Sequence, residues 1–508
     1  MIRYLHRTAV RIPTRSWCAR WYSAGTASTP TLRVAVVGSG PAGFYTAYKI
    51  LDRFPDGSVT MDMYEKLPVP FGLARFGVAP DHPEVKNCEE KFEEVAQSRY
   101  FRFIGNTAIG AAVSCSFSSF TSNYIPLALL QKHYDAVILA YGADSDKDMS
   151  GSITNLALRG VHSAREFVGW YNGHPEFQDL DFDLARGSGQ AVVVGHGNVA
   201  LDVARILLTN VNDLRKTDIT EAAIARLSES KVTNVHIVGR RGPAQASFTN
   251  KEVRELMTLP GVGFIPPPDD LMAPLLSDAK ALPRATKRLV QLLQKGSPTP
   301  YTSAAKTFSF DFLRSPLSVE EDHRLNGYIA GATFDVMALQ GEACVKDTRA
   351  RATGIAERYD CDNYFLSIGY QTHPLAGLED FYDSAVNHLI QGGGHVAASD
   401  NREVIGLYAS GWIKRGPTGV IAETMYDAFE TAASVIEDFE AGKIGSSSRR
   451  QRDGWEGVRA ELGNALSWRI VGWGDWLKID AAERERGRVL GKVREKFVTQ
   501  KDMLEVIS

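Results

Sequence analysis

The sequence predicts an α/β protein with two Rossmann-like dinucleotide-binding domains, the second inserted into a split first domain. Two glycine-rich loops, at residues 38–43 and 195–200, each lie between a short apolar strand pattern and a helical pattern. Two similar segments in which a strand runs into a glycine, at 136–142 and 364–370, are where the chain would cross between the domains. A chain of 508 residues, of which 44% are hydrophobic, is long enough for about two to four domains.

The composition excludes several other classes of protein. No run of about 18 apolar residues occurs, so the sequence predicts no membrane-spanning helix. The five cysteines lie far apart and form no C-x-x-C pair. This spacing excludes a disulfide framework, a zinc ribbon, a cysteine-ligated iron–sulfur cluster and a vicinal redox dithiol. We therefore expect no metal site, and the net charge of −3 gives no reason to expect a nucleic-acid partner.

The N-terminal segment is predicted to be a mitochondrial transit peptide and not part of the fold. Residues 1–22 contain five arginines and no acidic residue, and the first four arginines recur at every fourth position. On a helix this spacing makes a basic amphipathic stripe, which is typical of such peptides; a basic tail without this role is the alternative. The segment Arg20-Trp21-Tyr22-Ser23 resembles a matrix processing site, which predicts cleavage after Tyr22, with residue 30 as a later limit. Loss of five arginines would change the net charge from −3 to −8, and the predicted location is the matrix or the matrix side of the inner membrane.

The first glycine-rich loop follows a strand pattern at residues 32–37 and precedes a helix. Gly38 would make the tight turn, Gly40 would let the backbone approach a pyrophosphate, and Gly43 would let helix and strand pack closely. A second strand ends at Glu65, whose carboxylate can accept both hydroxyls of an adenosine ribose and would repel a 2′-phosphate. We therefore predict an FAD site here; taken alone, Glu65 would be an ordinary solvated acid at a strand end.

The second glycine-rich loop has the same arrangement of strand, loop and helix, but the residues after its second strand are basic where the first site has an acidic residue. Its third fingerprint position is Ala200, which often accompanies the phosphorylated nicotinamide cofactor. The next strand, at residues 235–238, is followed by Arg240 and Arg241, whose guanidinium groups suit bidentate contact with a phosphate. We predict that this loop binds NADPH, with a solvated basic turn as the alternative.

These loops determine the predicted domain limits. The first part of the FAD-binding domain would span residues 32–143, and the NADPH-binding domain would span residues 144–368. The second part of the FAD-binding domain, with a C-terminal extension, would occupy residues 369–508.

Four segments of the chain resemble the signature motifs of the adrenodoxin reductase family, the mitochondrial NADPH:ferredoxin reductases. They are VPFGLARFGVAPDHPEVKN at 69–87, FVGWYNG at 167–173, GNVALDVARIL at 197–207 and SGWIKRGPTGVI at 410–421. The resemblance extends from about residue 32 to the C-terminus. It departs at His196, where the family more often has Gln, and it is weak over residues 265–310 and 440–465.

The resemblance implies cofactor contacts at the matched positions. Those expected to contact FAD are Ala42, Glu65, Leu73, Ile109, Trp412, Gly419, Val420 and Ile421. Those expected to contact NADPH are His196, Gly197, Asn198, Val199, Arg240, Arg241, Glu252 and Gly419. Trp412 stands where many related flavoenzymes carry Asp, so its ring would cover the flavin; a tryptophan that only fills the core is the alternative.

The resemblance also suggests that His82 and Asp202 handle the proton that the flavin gains or loses. They belong to different predicted domains, and both lie in family motifs expected to meet at the junction between flavin and nicotinamide. A histidine has a pKa suited to such a role. The alternative, a hydrogen-bonded loop histidine and an ordinary helix acid, stays open because the sequence does not show their geometry.

The missing dithiol bears on where the electrons go. FAD takes two electrons from NADPH and can release them singly, and without C-x-x-C or cluster cysteines they must leave for a separate acceptor. We predict a mitochondrial [2Fe–2S] ferredoxin, which would serve iron–sulfur cluster assembly, haem A synthesis or a P450. A glutamate-synthase-type reductase subunit, a quinone reductase and a non-catalytic FAD/NADPH-binding module are the alternatives.

A basic stretch provides the predicted docking face for that acidic partner. Residues 231–300 contain ten Lys and Arg against five Asp and Glu, in a chain that is otherwise acidic, so association would need this local attraction. The candidate contacts are Arg254, Arg284, Lys287 and Arg288, of which the family resemblance indicates the three arginines. A merely solvated face is the alternative, and peripheral contact with the inner membrane is left open.

Overall fold

The computed structural model describes residues 32–55, 57–110, 123–277, 282–398, 400, 402–445, 452–466 and 469–508. The predicted transit peptide, residues 1–22, lies outside the described residues, as does its later limit at residue 30.

The strands are short and spread over the whole described chain. In chain order they are β1 (Leu32–Val37), β2 (Val59–Tyr64), β3 (Phe101–Ile104), β4 (Thr107–Ile109), β5 (Asn123–Ile125), β6 (Ala136–Leu139), β7 (Ser145–Asp146), β8 (Val161–Ser163), β9 (Gln190–Val194), β10 (Asn234–Gly239), β11 (Val262–Ile265), β12 (Lys306–Phe312), β13 (Arg314–Glu321), β14 (Ile329–Leu339), β15 (Ala350–Asp360), β16 (Asn363–Leu366), β17 (Tyr370–Gln371), β18 (Tyr382–Asp383), β19 (His388–Leu389), β20 (Gln391–Gly392), β21 (His395–Ala397) and β22 (Glu403–Ala409).

Helices connect these strands and cover the sheets. In chain order they are α1 (Pro41–Arg53), α2 (Leu73–Phe76), α3 (Cys88–Ala96), α4 (Leu127–His133), α5 (Ala164–Tyr171), α6 (Asn198–Leu208), α7 (Val211–Leu214), α8 (Glu221–Ser228), α9 (Asn250–Met257), α10 (Asp269–Ser277), α11 (Arg284–Lys295), α12 (Trp412–Arg415), α13 (Ile421–Glu440), α14 (Gly454–Leu462), α15 (Trp473–Leu490) and α16 (Gln500–Glu505).

The first large sheet has seven strands in the order β20-β21-β22-β6-β1-β2-β3. Its central strand β1 is parallel to both β2 and β6, and β22 is parallel to β6. Because successive residues of a strand face opposite sides of a sheet, Val34 and Val36 enter one apolar core and Ala35 and Val37 enter another. Burial on both faces explains why the sequence of β1 is an almost continuous apolar run.

The second large sheet has six parallel strands in the order β11-β12-β10-β9-β16-β8. Residues of β9 also alternate between two cores: Ala191 and Val193 face one, Val192 and Val194 the other. The first sheet is parallel from β22 to β3 with two antiparallel strands at one edge, and the second is parallel throughout. Each contains a strand followed by a glycine-rich loop and a helix, which confirms the predicted α/β fold class.

The chain leaves the first sheet and later returns to it. Strand β6 ends at Leu139, its neighbour β22 begins at Glu403, and every strand of the second sheet lies between these two positions in sequence. The second sheet is therefore inserted into the first, and we retain residues 143 and 368 as the proposed limits of the insertion.

Strands β13, β14 and β15 form a third sheet that the sequence analysis did not predict. It is antiparallel and connects β12 to β16. Strand β15 is mostly exposed, so its sequence lacks the apolar alternation by which a half-buried strand is recognised.

The C-terminal extension packs back onto the core of the first sheet. Trp476 and Ile479 of α15 and Met503 of α16 are buried in the same apolar cluster as Phe44 of α1. No helix among the described residues is long and apolar enough to cross a membrane.

Candidate active site

The first glycine-rich loop is shaped by two close backbone contacts. Gly38 has a φ of +103°, and a Cβ there would lie 2.6 Å from the carbonyl oxygen of Ala140; a Cβ on Gly43 would lie 2.2 Å from the Gly38 carbonyl oxygen. A Cβ on Gly40, in contrast, would meet no atom within 4 Å. The loop therefore closes against β6 and α1 but leaves open space at Gly40, at the start of α1, where a pyrophosphate fits.

Glu65 is fixed at the edge of this loop. Its side chain accepts hydrogen bonds from the amide and hydroxyl of Ser39, at 3.1 and 2.6 Å, and from the amide of Leu67 at 3.0 Å. A carboxylate has about four lone-pair sites, so Glu65 keeps acceptor capacity for a ribose hydroxyl. These three hydrogen bonds hold the Glu65 carboxylate beside the first glycine-rich loop.

Two further turns meet the first loop. Phe71 and Gly72 both have positive φ angles, 84° and 49°, and a Cβ on Gly72 would lie 3.2 Å from the Gly40 Cα atom. This contact places Leu73, the first residue of α2, close to the loop. A Cβ on Gly411 would lie 2.5 Å from that of Ala42, so the turn before Trp412 also reaches α1. Ile109 lies farther along the chain in β4 and is buried.

The turn between α12 and α13 combines an aromatic ring with exposed backbone. The Trp412 indole donates to the Thr418 carbonyl oxygen at 3.1 Å, and its ring centroid lies 5.1 Å from that of Tyr370. Gly419 and Val420 are exposed, and α13 begins at Ile421. The unpaired amides and positive dipole end of this 20-residue helix are suited to an anionic ring or phosphate.

The second loop repeats the steric plan of the first. A Cβ on Gly195 would lie 2.1 Å from the Ser367 carbonyl oxygen, whereas a Cβ on Gly197 would meet nothing within 4 Å. Asn198 accepts a hydrogen bond from the Thr249 amide at 2.9 Å, which ties the loop to α9. Val199 is half-buried against the core of this domain. The open position again lies at the N-terminus of a helix, here α6.

His196 turns its side chain inward. Its ring packs edge-on against Phe248 and Phe312, and its Nε2 atom lies 3.0 Å from the Ile237 carbonyl oxygen. Burial lowers the pKa of His196 to about 4, so the imidazole is neutral and Nε2 donates to that carbonyl. Only the backbone of His196 is left to meet a ligand at the loop.

Arg240 and Arg241 lie directly after β10, one exposed and one half-buried. Within the described ranges neither guanidinium forms an ion pair or hydrogen bond with another side chain. A third cation lies near them, since burial and then the charge of Arg241 lower the pKa of Lys346. Guanidinium and ammonium groups are suited to a phosphate group; Lys346 also lies near the charge of Asp347 and donates to the Ala246 carbonyl oxygen. The sequence did not indicate Lys346, which lies in the connection between β14 and β15.

His82 and Asp202 come together at the junction between the two domains. Nitrogen or oxygen atoms of His82, Asp202 and Glu252 all lie within 4.8 Å of one another. The His82 Nε2 atom is 2.8 Å from a carboxylate oxygen of Glu255, and the buried Arg205 forms ion pairs with Asp202, Glu252 and Asp81. Sequence reasoning missed Glu255 and Arg205; the only available signal was that Arg205 is three residues from Asp202 on one helix.

The carboxyl groups at this junction differ in proton affinity. Burial raises the pKa of Asp202, although Arg205 opposes the shift, and burial together with the charge of Asp202 raises the pKa of Glu252. Although burial acts in the other direction, hydrogen bonds from Arg205 leave the pKa of Asp81 lowered. Asp202 and Glu252 therefore hold a proton more readily than Asp81 does, and His82 lies beside them.

The four predicted docking cations, which we call the basic face, are all exposed: Arg254 on α9 and Arg284, Lys287 and Arg288 on α11. The Asn250 amide donates to the Ala285 carbonyl oxygen at 3.0 Å, which joins the two helices. Among the described residues these four side chains form no ion pair. Helix α9 also carries Glu252 and Glu255, so a single helix borders both the basic face and the junction.

The sequence as a whole matches curated mitochondrial proteins. It is 43% identical over 487 residues to the human protein named NADPH:adrenodoxin oxidoreductase, mitochondrial, covering 94% of this chain and 92% of that one. The mouse protein of the same name is 41% identical over 506 residues, covering 97% and 94%. The Arabidopsis thaliana protein of the same name is 39% identical over 511 residues, covering 99% of both chains. No protein-family model matches the chain.

A solved structure also matches over most of its length. FprA from Mycobacterium tuberculosis in complex with NADPH is 34% identical and superimposes with a TM-score of 0.81. The superposition covers 94% of this chain and 100% of FprA.

Proposed function

Because the chain belongs to the NADPH:adrenodoxin oxidoreductase family, we propose that it carries electrons from NADPH through FAD to a [2Fe–2S] ferredoxin of the mitochondrial matrix. It is an oxidoreductase of the ferredoxin–NADP⁺ reductase type. FAD supplies the exchange between paired and single electrons that no side chain can perform. The chain's own residues bind and orient the two nucleotides, manage a proton and receive the partner.

The proposal depends on the opposite charges of the side chains that lie beside the two glycine-rich loops. Glu65 ends β2 beside the first loop, and Arg240 and Arg241 follow β10 beside the second. A carboxylate selects a ribose with free hydroxyls, and guanidinium groups select a 2′-phosphate. This assignment gives FAD to the first domain and NADPH to the second, with Lys346 as an added phosphate contact.

The FAD contacts follow from the surfaces that meet the first loop. Gly40 would leave room for the pyrophosphate, Gly38 and Gly43 would give the loop its shape, and Ala42, Leu73 and Ile109 would contact the cofactor. Trp412 would cover one side of the flavin ring, while the backbone of 419–421 would face its polar edge at the start of α13. The NADPH contacts would be the backbone of 196–199, the two arginines and Glu252 near the nicotinamide end, with Gly419 between the cofactors.

His82 and Asp202 would manage the proton. A proton on Asp202 or Glu252 would lie within reach of His82 in this cluster, and an imidazole nitrogen can accept or donate it as a general base or acid. These groups would thus keep the site electrically balanced as the electron count of the flavin changes.

A spectroscopic and kinetic experiment tests the function. The chain from Ser23 to Ser508, purified and examined by absorption, should show bound flavin, and NADPH-dependent cytochrome c reduction should require added [2Fe–2S] ferredoxin. Equal rates with a quinone and no ferredoxin would favour the quinone reductase, and transfer only to a glutamate synthase partner would favour that subunit. Bound cofactors without NADPH oxidation would indicate a non-catalytic module.

The ferredoxin would dock on the basic face. Four exposed cations that form no ion pair with the described residues can attract an acidic protein and orient it. Through such a ferredoxin the enzyme would serve iron–sulfur cluster assembly, haem A synthesis or a P450.

A further inference from the structure

We propose that Arg205 is a positioning residue for the proton-handling cluster: it holds Asp81 of the first domain against Asp202 and Glu252 of the second, and thereby keeps His82 among them. The proposal rests on the proposed function, since it assigns a role within the same site. Arg205 itself lies behind the carboxylates and would touch neither nucleotide.

The guanidinium of Arg205 divides its donors among three acids. Its Nε and one terminal nitrogen contact the two oxygens of Asp81 at 2.6 and 3.1 Å. The same terminal nitrogen contacts Asp202 at 2.7 Å, and the other contacts Glu252 at 3.3 Å. The side chain is 2% exposed, and the planar fork of five donors fixes the angles between these contacts.

The Asp81 contact determines where His82 lies. Asp81 directly precedes His82, and Pro83 directly follows it, so the proline ring narrows the backbone freedom of His82, which has φ −116° and ψ 56°. The His82 amide donates to the Ala79 carbonyl oxygen at 3.0 Å, and the imidazole ends against Glu255 of α9. A bidentate pair from α6 therefore anchors the loop of the first domain at the residue beside the imidazole.

Charge makes Arg205 necessary for this arrangement. The titratable and charged groups that face the cluster are, from the first domain, Asp81, His82, Glu84 and Tyr370 and, from the second, Tyr171, Asp202, Arg205, Lys251, Glu252 and Glu255. Among them, Lys251 forms ion pairs with Glu84 and Glu255 at the exposed rim. Arg205 is thus the one buried cation in this group that faces Asp81, Asp202 and Glu252, and without it these carboxylates would repel one another.

A second ion pair between the domains provides a matched control. Lys86, four residues after His82, contacts Asp218 of the second domain at 2.6 Å, and Asp218 also contacts Lys496. In Lys86→Met the domains lose one buried ion pair while Asp218 keeps a partner. If Arg205 served only to join the domains, its loss and the loss of Lys86 would have the same effects.

The test is a titration of holoenzyme variants with two readouts. The first is the midpoint of the His82 titration, followed by NMR of ¹⁵N-histidine-labelled protein without NADPH and assigned with His82→Gln. The second is the pH profile of flavin reduction by NADPH in stopped flow. Arg205→Gln removes a positive charge from the proton-handling cluster. It should therefore raise the midpoint of the His82 titration and that of the pH profile of flavin reduction by about one to three pH units. Asp81→Asn removes a negative charge and should move them down.

Further variants separate positioning from folding. Arg205→Lys keeps the charge without the fork, so its midpoints should stay near those of the parent while reduction slows about tenfold. Lys86→Met should lower the thermal midpoint and leave both titrations unchanged. If Arg205→Gln does not retain FAD, Asp81→Asn and Arg205→Lys decide the question.

Unchanged midpoints in both charge variants, or equal shifts in Lys86→Met, would overturn the proposal. A parent protein that binds no flavin or does not oxidise NADPH would instead refute the proposed function. The NMR readout does not depend on turnover, so these two failures are distinguishable.

Discussion

Arg240 and Arg241 form no ion pair with the described residues, and on the proposed function one of these side chains would select NADPH over NADH. A charge-assisted hydrogen bond to phosphate contributes roughly 1.5–3 kcal/mol, or about one to two decades in affinity. We expect Arg241→Ala to raise KM for NADPH by that factor and to leave KM for NADH nearly unchanged, with the flavin spectrum intact. Steady-state kinetics with both nucleotides provide the measurement. Lys501→Ala, which removes a charge at an exposed position of α16, is the control. An equal rise in KM for NADH would mean that Arg241 has a structural role.

The lowered pKa of His196 should make the stability of the protein depend on pH. The unfolded imidazole titrates near 6.5 and the folded one near 4, so between these values the unfolded state binds a proton that the folded state excludes. The contribution of His196 to the free energy of unfolding is therefore fully present above about pH 6.5, and it decreases by about 3 kcal/mol as the pH falls toward 4.

His196→Gln should remove that part of the acid loss, because an amide can donate to the same Ile237 carbonyl without titrating. Urea unfolding at pH 7 and pH 4.5 measures the difference between the two proteins. An identical acid loss in the variant would contradict the assignment.

Helices α9 and α11 act together as one surface. Leu289, Val290 and Leu293 bury one side of α11, so its cations must point outward. Arg288→Glu should lower ferredoxin-dependent turnover tenfold or more, equivalent to about 1.4 kcal/mol, and leave ferricyanide reduction by NADPH unchanged. Added salt should slow the parent more steeply than the variant. Lys501→Glu reverses an exposed charge elsewhere and should change neither ferredoxin-dependent turnover nor ferricyanide reduction. If Arg288→Glu lowered ferricyanide reduction as much as ferredoxin-dependent turnover, this surface would be excluded as the docking site.

The elements that the sequence predicts well are those determined by local pattern. The strands predicted at 32–37 and 235–238, and the strand predicted to end at Glu65, agree with β1, β10 and β2 of the structure to within a residue at each end given, because burial on both faces and glycine loops leave strong local signals. Glu255, Arg205 and Lys346 could not be predicted, since their partners lie far away in sequence. The inward turn of His196 depended on three aromatic residues from distant segments, and the exposed β15 carried no periodic pattern.

The molecule as a whole is stabilised by buried charges between its first and last segments. Glu483 on α15 is fully buried and contacts Arg75 at 2.6 Å and Arg494 at 2.8 Å. Replacing one partner of a buried pair leaves the others uncompensated, which costs about 3–5 kcal/mol.

We therefore expect Glu483→Gln to lower the free energy of unfolding by that amount, measured by urea unfolding of the FAD-loaded protein. Glu485→Gln, two residues along the same helix and exposed beside Arg488, should leave the urea midpoint in place. A similar midpoint for both variants would show that the buried pair does not contribute.

The N-terminal prediction also concerns the whole molecule. Residues 1–30 fused to a reporter should carry it into the matrix, and the mature protein should begin at or just after Ser23. Mass spectrometry of the endogenous protein decides this, and an intact Met1 would refute it.

The pairing of β6 with β22 gives the first domain an unusual order of completion. A chain that enters an organelle from its N-terminus delivers β1, β2 and β6 early, but the neighbour of β6 arrives only after Glu403 has crossed. The inserted domain can close while the chain is still threading, whereas the surrounding one must wait with an open sheet edge. Such an edge invites wrong pairing, and contacts of long sequence separation form slowly. The newly imported protein would thus depend on chaperones until its last segment has arrived, and its flavin would be captured at the end of that sequence of events.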